Sequence, residues 1–201
     1  MDNITAVRQS PDGGYCVLGI SQAAFTSLGG KSPIFAYTGA TDFLVIKLTE
    51  TGDVSWFNFF GTTVDDWAQD IAATSDGGCI AVGYNASATS TINGMNALFY
   101  VGGNASLGLV AKFGAAGALE WWTYIGGGGG QQQIRGVVQT SDSGYILAGI
   151  ANSNFSNASC SSPKNAYSAL FDFLAVKISS SGATQWCTFL GGAGNDYGIS
   201  I

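Results

Sequence analysis

The apolar positions of this chain fall in short runs rather than along a helical stripe. Segments such as FLVIKL at 43–48, WFNFF at 56–60, CIAVGYN at 79–85 and LEWWTYI at 119–125 are rich in β-branched and aromatic residues, and turns of Gly, Asp, Asn or Ser bound them. No segment sustains a long apolar period of 3.6 residues, so helix is expected to be scarce. In the middle of the chain, DWAQDIAATS, CIAVGYN, LVAKF and LEWWTYI read as four successive strands. Asp76-Gly77-Gly78 joins the first two, with glycine supplying positive φ in a tight turn, and Gly114 to Gly117 join the last two. Four short strands connected in this way form an antiparallel meander.

The same pattern is written three times. The turns Asp12-Gly13-Gly14, Asp76-Gly77-Gly78 and Asp142-Ser143-Gly144 stand 64 and 66 residues apart by subtraction. By the same subtraction, Lys47, Lys112 and Lys177 recur every 65 residues, as do Gly52, Gly117 and Gly182, then Trp56, Trp121 and Trp186, then Gly61, Gly126 and Gly191. Between the second and third strand of each copy lies an insertion, at 21–41, 86–107 and 151–171, that differs between copies. Loops of this length usually carry function or disorder, so any specificity is expected to reside there, with variable decoration of a repeated scaffold as the alternative.

The expected fold is all-β, with three four-stranded antiparallel units of about 65 residues resembling β-propeller blades, plus the first strand of a fourth. The units span 2–61, 66–127 and 132–193, and the further strand spans 196–201. A propeller sheet packs both faces against its neighbours, and FLVIKL and WFNFF are apolar on both faces; a sandwich or a solenoid is the alternative.

The stretch DFLAVKISSSGATQWCTFLGGAGNDYGISI, with SDSGYILAG earlier in the same unit, resembles the SBBP-type β-propeller repeats of large surface-exposed proteins. The resemblance covers nearly the whole chain and implies a propeller-like fold and an extracellular or cell-envelope location. It carries no catalytic residues over. The second unit departs from it, with Leu107 and Gly108 where the first has Asp42 and Phe43 and the third has Asp172 and Phe173.

Composition agrees with an exported β-protein. Charged residues are 10% of the chain against about 25% in an ordinary domain, and there are 30 glycines. A net charge of −6 with scattered cations disfavours nucleic acid, and no apolar run is long enough to span a membrane. N-glycosylation sequons stand at Asn3, Asn85, Asn104, Asn154 and Asn157. The chain starts and stops at the same phase of the repeat: Asp196 aligns with Asp66 and Asp2, and Ile201 with Ile71, Val137 and Val7. With no export signal at the N-terminus, three arrangements follow: an excerpt of a longer propeller, a ring of two copies, or a head-to-tail filament.

The chain has no histidine, which removes the commonest general base and most zinc chemistry. No cofactor, metal or catalytic residue is expected. Asp65, Asp66, Asp70 and Asp196 cluster near the crossings between units, where acidic pairs serve glycoside hydrolysis or calcium; structural turn bonding is the competing reading, and Gln131 to Gln133 break the pattern. The tract Gly126 to Gly130 lacks the Lys-Ser/Thr of a phosphate loop. The repeated tryptophans fit packing between units, whereas Trp67, with Asp65 and Asp66 beside it, is the candidate ligand surface. The repeated lysines lay their stems over the neighbouring strand and carry the ammonium to water or a carboxylate. Four cysteines permit three full pairings, and Cys160 with Cys187 in an oxidising compartment is favoured. The expected function is a non-catalytic extracellular structural or adhesive glycoprotein with copies of itself as partners. The alternative is a carbohydrate-binding module using the insertions.

Overall fold

The computed structural model describes residues 2–102, 106–127, 129–155, 157 and 159–197. It is all-β, with no helix among the described residues. The first sheet runs β1 (Asn3–Gln9), β2 (Tyr15–Ser21), β3 (Asp42–Leu48) and β4 (Val54–Phe60), each hydrogen-bonded to the next. The second repeats this with β5 (Asp66–Ala73) and β6 (Cys79–Asn85), then, after a small hairpin of β7 (Thr91–Ile92) and β8 (Met95–Asn96) in the insertion, β9 (Gly108–Phe113) and β10 (Leu119–Ile125). The third is β11 (Gln132–Gln139), β12 (Tyr145–Ala151), β13 (Asp172–Ile178) and β14 (Thr184–Leu190). All pairs are antiparallel and no sheet closes into a barrel. Of the expected further strand, Asp196 and Tyr197 are described without strand structure, and Ile201 lies outside the described residues.

Each unit uses one set of local devices. Its first strand carries a bulge at the same place, between Ile4 and Ala6, Ala68 and Asp70, and Ile134 and Gly136. The turn between the first two strands is locked by its aspartate, which accepts hydrogen bonds from the hydroxyl two residues earlier and the glycine N–H two residues later, as Asp76 does from Thr74 (2.5 Å) and Gly78 (2.9 Å). The repeated lysines run under this turn, pairing Lys47 with Asp12 at 2.9 Å, Lys112 with Asp76 at 2.8 Å and Lys177 with Asp142 at 3.0 Å. The stems are buried and the ammonium groups meet a carboxylate at the rim.

The first strands of the three sheets lie near one another, β5 packing beside β1 and β11. Asp70 ties the three together, accepting 2.8 Å from the Arg8 guanidinium on β1 and 3.2 Å from the Val137 N–H on β11. Apolar residues fill the gaps between sheets on both faces. Leu18, Phe43, Val45 and Phe60 of the first sheet pack with Ala68, Ile71, Leu109 and Trp122 of the second. Ile80, Val82 and Val110 on the other face of the second sheet pack with Ile134, Val137 and Leu174 of the third. The exposed side of the first sheet is closed by its own insertion through Phe25, Leu28 and Tyr37.

Two disulfides complete the frame. Cys160–Cys187 pins the third insertion to β14, and Cys16–Cys79 bridges β2 of the first sheet to β6 of the second. These cysteines occupy positions one apart in the repeat, so their proximity is a consequence of how adjacent sheets face each other.

Candidate functional site

Three features combine chemistry with geometry: a buried carboxylate pair at the crossing between sheets, a groove beside Trp67, and the joints by which one sheet holds the next.

At the first crossing, the Thr38 N–H (2.8 Å) and hydroxyl (2.9 Å) donate to Asp42 Oδ2, and the Thr62 N–H (2.5 Å) and hydroxyl (2.9 Å) donate to Asp66 Oδ2. Gly61 lies between the two acids, where a Cβ would come within 2.5 Å of Asp42 Oδ1 and 2.8 Å of Asp66 Oδ2, so only glycine lets them converge. Both aspartates are fully buried and neither Oδ1 atom has a hydrogen-bond partner among the described residues. Burial pushes Asp66 up to about 7, against the Thr62 bonds, with Asp42 and Asp65 adding repulsion. Burial likewise raises Asp42 to about 6. The third unit repeats the arrangement: Ser168 donates to Asp172, and a Cβ at Gly191 would meet both Asp172 and Asp196. In the second unit Gln132 stands in for the acid and accepts from Gly127 N–H at 3.0 Å.

A cleft of about 350 Å³ lined in part by Thr38, Thr62, Thr63, Ser87 and Thr89 lies alongside, but neither aspartate lines it. A general acid must touch the atom it protonates, so the arrangement as it stands holds a crossing together rather than presenting an acid to a substrate.

The expected ligand surface of Trp67, Asp65 and Asp66 is divided by the strand alternation of β5. Asp66 turns inward and is fully buried, which corrects its placement on a surface. Asp65 accepts 2.8 Å from the Thr41 hydroxyl and is tied into the crossing. Trp67 alone lines a groove, of about 480 Å³, with Tyr84, Gln131, Gln133 and Asn152. The glycine tract from 126 helps frame this groove, which includes Gly129 and Gly130.

The joints between sheets are near copies of one another. The Trp56 indole N–H donates 2.8 Å to the Ala115 carbonyl in the turn of the next unit, and Trp121 donates 2.9 Å to Ser180 one unit on. Each indole lies on a glycine of that turn, Gly117 or Gly182, where a Cβ would stand 2.7 Å or 2.9 Å from the ring. Ile34 and Leu98 cover the same glycines from the insertions. Among the described residues, each half of this joint is unmatched at the two outer sheets. Trp186 is 36% exposed against 5% for Trp56 and 7% for Trp121, and a Cβ at Gly52 would meet nothing within 4 Å. Ile4 and Val7, both 53% exposed, align with Ala68 and Ile71 and with Ile134 and Val137, all buried.

The sequons separate by exposure. Asn3 and Asn154 are exposed. Asn85 is fully buried, with Nδ2 donating 2.6 Å to Ser87 O and 3.2 Å to Tyr124 Oη and Oδ1 accepting from Leu107, so it has no room for a glycan; this corrects the expectation there. Asn157 is half-buried and its Nδ2 donates 2.9 Å to Gly126 O. Asn104 lies outside the described residues.

Sequence reasoning took Asp42 and Asp172 only as landmarks of the third strand and assigned them no place in a site, although each stands five residues before a repeated lysine. It also passed over Asp12, Asp76 and Asp142 as the lysines' partners, for which their recurrence 35 or 36 residues before each lysine was a usable signal. Neither a protein-family model nor a curated protein matches the chain.

Proposed function

We propose that the protein is a non-catalytic extracellular structural or adhesive glycoprotein, in which the three sheets act as propeller-like blades and copies associate through their outer sheets. The observation that carries this reading is the repeated joint. A packing unit used twice inside the chain, with one complementary half left open on each outer sheet, is suited to extension by further copies. The resemblance to SBBP-type repeats, the low charge and the two disulfides support an oxidising, extracellular setting. The exposed sequons Asn3 and Asn154 offer carriers for glycan.

Expression through a secretory pathway, followed by intact mass and multi-angle light scattering over a range of concentrations, tests the proposal. Glycan mass and a molar mass that rises with concentration are expected. A monomer at every concentration sinks the assembly reading, and hydrolysis of a polysaccharide sinks the non-catalytic one.

A second reading, a carbohydrate-binding module, is favoured by the groove at Trp67. Its two aromatic rings and several amides match the apolar faces and hydroxyl edges of sugars. Glycan-array binding that Trp67→Ala abolishes would establish it; a silent array would retire it.

A further inference from the structure

The open halves of the joint differ chemically from the closed ones, and the difference names the occupant. In the third unit the backbone N–H of Lys164 donates 2.9 Å to Cys187 O, as Ile34 donates to Phe57 O and Leu98 to Trp122 O in the first and second. Lys164 therefore holds the position from which Ile34 and Leu98 reach over Gly117 and Gly182. On the other side, Glu50 aligns with Ala115 and Ser180, the residues whose carbonyls receive the tryptophan N–H. The inner joints thus set an apolar residue beside Ala or Ser, whereas the outer halves set a lysine at one end against a glutamate at the other. Lys164 and Glu50 are both exposed in the single chain.

We propose, resting on the assembly reading above, that the third sheet of one copy docks on the first sheet of a second copy in the geometry of the inner joints. Trp186 covers Gly52 of the second copy and donates its indole N–H to the Glu50 carbonyl, and Lys164 pairs with the Glu50 carboxylate. Leu190, 48% exposed where Phe60 and Ile125 are buried, packs toward Ile4 and Val7. The insertion of the first unit already covers Leu44, Ile46, Phe57 and Phe59 through Phe25, Leu28 and Tyr37, so the docked copy meets β1 and the turn at Glu50 and Gly52 rather than that covered face. Phe25 packs edge-on against Phe59 in the first sheet as Phe155 packs against Phe189 in the third, and Phe155 fits within an inner joint. The contact is head to tail, so it continues until the rotation closes a ring or leaves a filament. Its charged pair makes it weaken with salt, which the inner joints lack.

The test measures self-association of the full chain by sedimentation velocity for wild type, Trp186→Ala, Glu50→Lys, Lys164→Glu and the double charge swap. Far-ultraviolet circular dichroism and thermal melting confirm each fold, which these exposed positions should leave unchanged. Trp186→Ala is expected to weaken association about 30-fold or more as a central aromatic anchor. Each single charge change is expected to weaken it about fivefold, and the double swap to restore it. Association that survives Trp186→Ala, or single charge changes without effect, overturns this interface while leaving self-assembly standing. A monomer at all concentrations overturns both. A monomer whose Trp186 is shielded from acrylamide assigns the face to another segment of the same polypeptide and also overturns the proposal.

Discussion

Replacing Asp66 by asparagine should make the protein no more stable in acid and more stable in base. Asp66 is fully buried with one oxygen unpartnered among the described residues, and its carboxyl is raised from 3.8 to about 7, first by burial and then, against the Thr62 bonds, by Asp42 and Asp65. The folded protein therefore holds a proton that the unfolded chain releases, so the acid's contribution to stability is complete below pH 3.8 and is lost as pH rises through about 7. At about 1.4 kcal/mol per pH unit, the loss amounts to about 4 kcal/mol as an upper figure. Asparagine keeps the acceptor for the Thr62 donors and removes the charge, but brings an amide donor that costs about 1–3 kcal/mol if it finds no partner. Asp66→Asn is thus expected to be neutral to about 3 kcal/mol less stable than wild type at pH 4 and about 1–3 kcal/mol more stable at pH 8. Urea unfolding of both proteins at the two pH values, with m checked for constancy, measures the difference. A gap between wild type and variant that moves by less than about 1 kcal/mol from pH 4 to pH 8 would refute the buried-acid reasoning.

Other consequences follow from the same geometry. Stability of the wild type should peak near pH 4. Above that Asp42 and Asp66 lose protons through about 6 and about 7, and below it Asp12 and Asp76, held down to about 2, lose the ionised state that binds Lys47 and Lys112. Thermal melting across pH 2 to 9 checks this, and a maximum near pH 8 would count against it. Replacing Cys16 and Cys79 together by alanine frees a loop of 63 residues and should cost about 4 kcal/mol, read by chemical denaturation. Gly117→Ala puts a methyl against Trp56 and adds left-handed strain, at a cost of about 2–4 kcal/mol, whereas Gly52→Ala meets only the strain, about 1 kcal/mol, in the single chain; equal costs would contradict the joint. Peptide mapping should find glycan at Asn3 or Asn154 and none at Asn85, and an occupied Asn85 in folded protein would overturn its burial.

Strand identity, strand order and the unit length were legible in the sequence because they depend on local rules. Alternation, turn chemistry at Asp76-Gly77-Gly78 and the recurrence of Lys, Gly and Trp each act over a few residues and leave their mark three times. The edges of β6 and β10 follow the runs CIAVGYN and LEWWTYI, whereas β5 ends at Ala73, two residues before the end of the run DWAQDIAATS. The β7–β8 hairpin lay in a stretch without repeat partners, and so left no pattern to compare.

What chain order could not supply was the meeting of residues from different units. That Cys16 faces Cys79, that Asp42 and Asp66 converge on Gly61, and that Asp70 binds groups on both β1 and β11 depend on how one twisted sheet sits on the next. The placement of Trp67 and Asp66 on opposite sides of one strand was implicit in the period of two, but which side faced the interior was decided by the neighbouring sheets. The tryptophans show the division most clearly. Their recurrence identified a packing role, while only the folded chain showed that Trp56 and Trp121 each cover a turn of the next unit and that Trp186, among the described residues, is left 36% exposed, because a repeat records the same residue whatever packs against it.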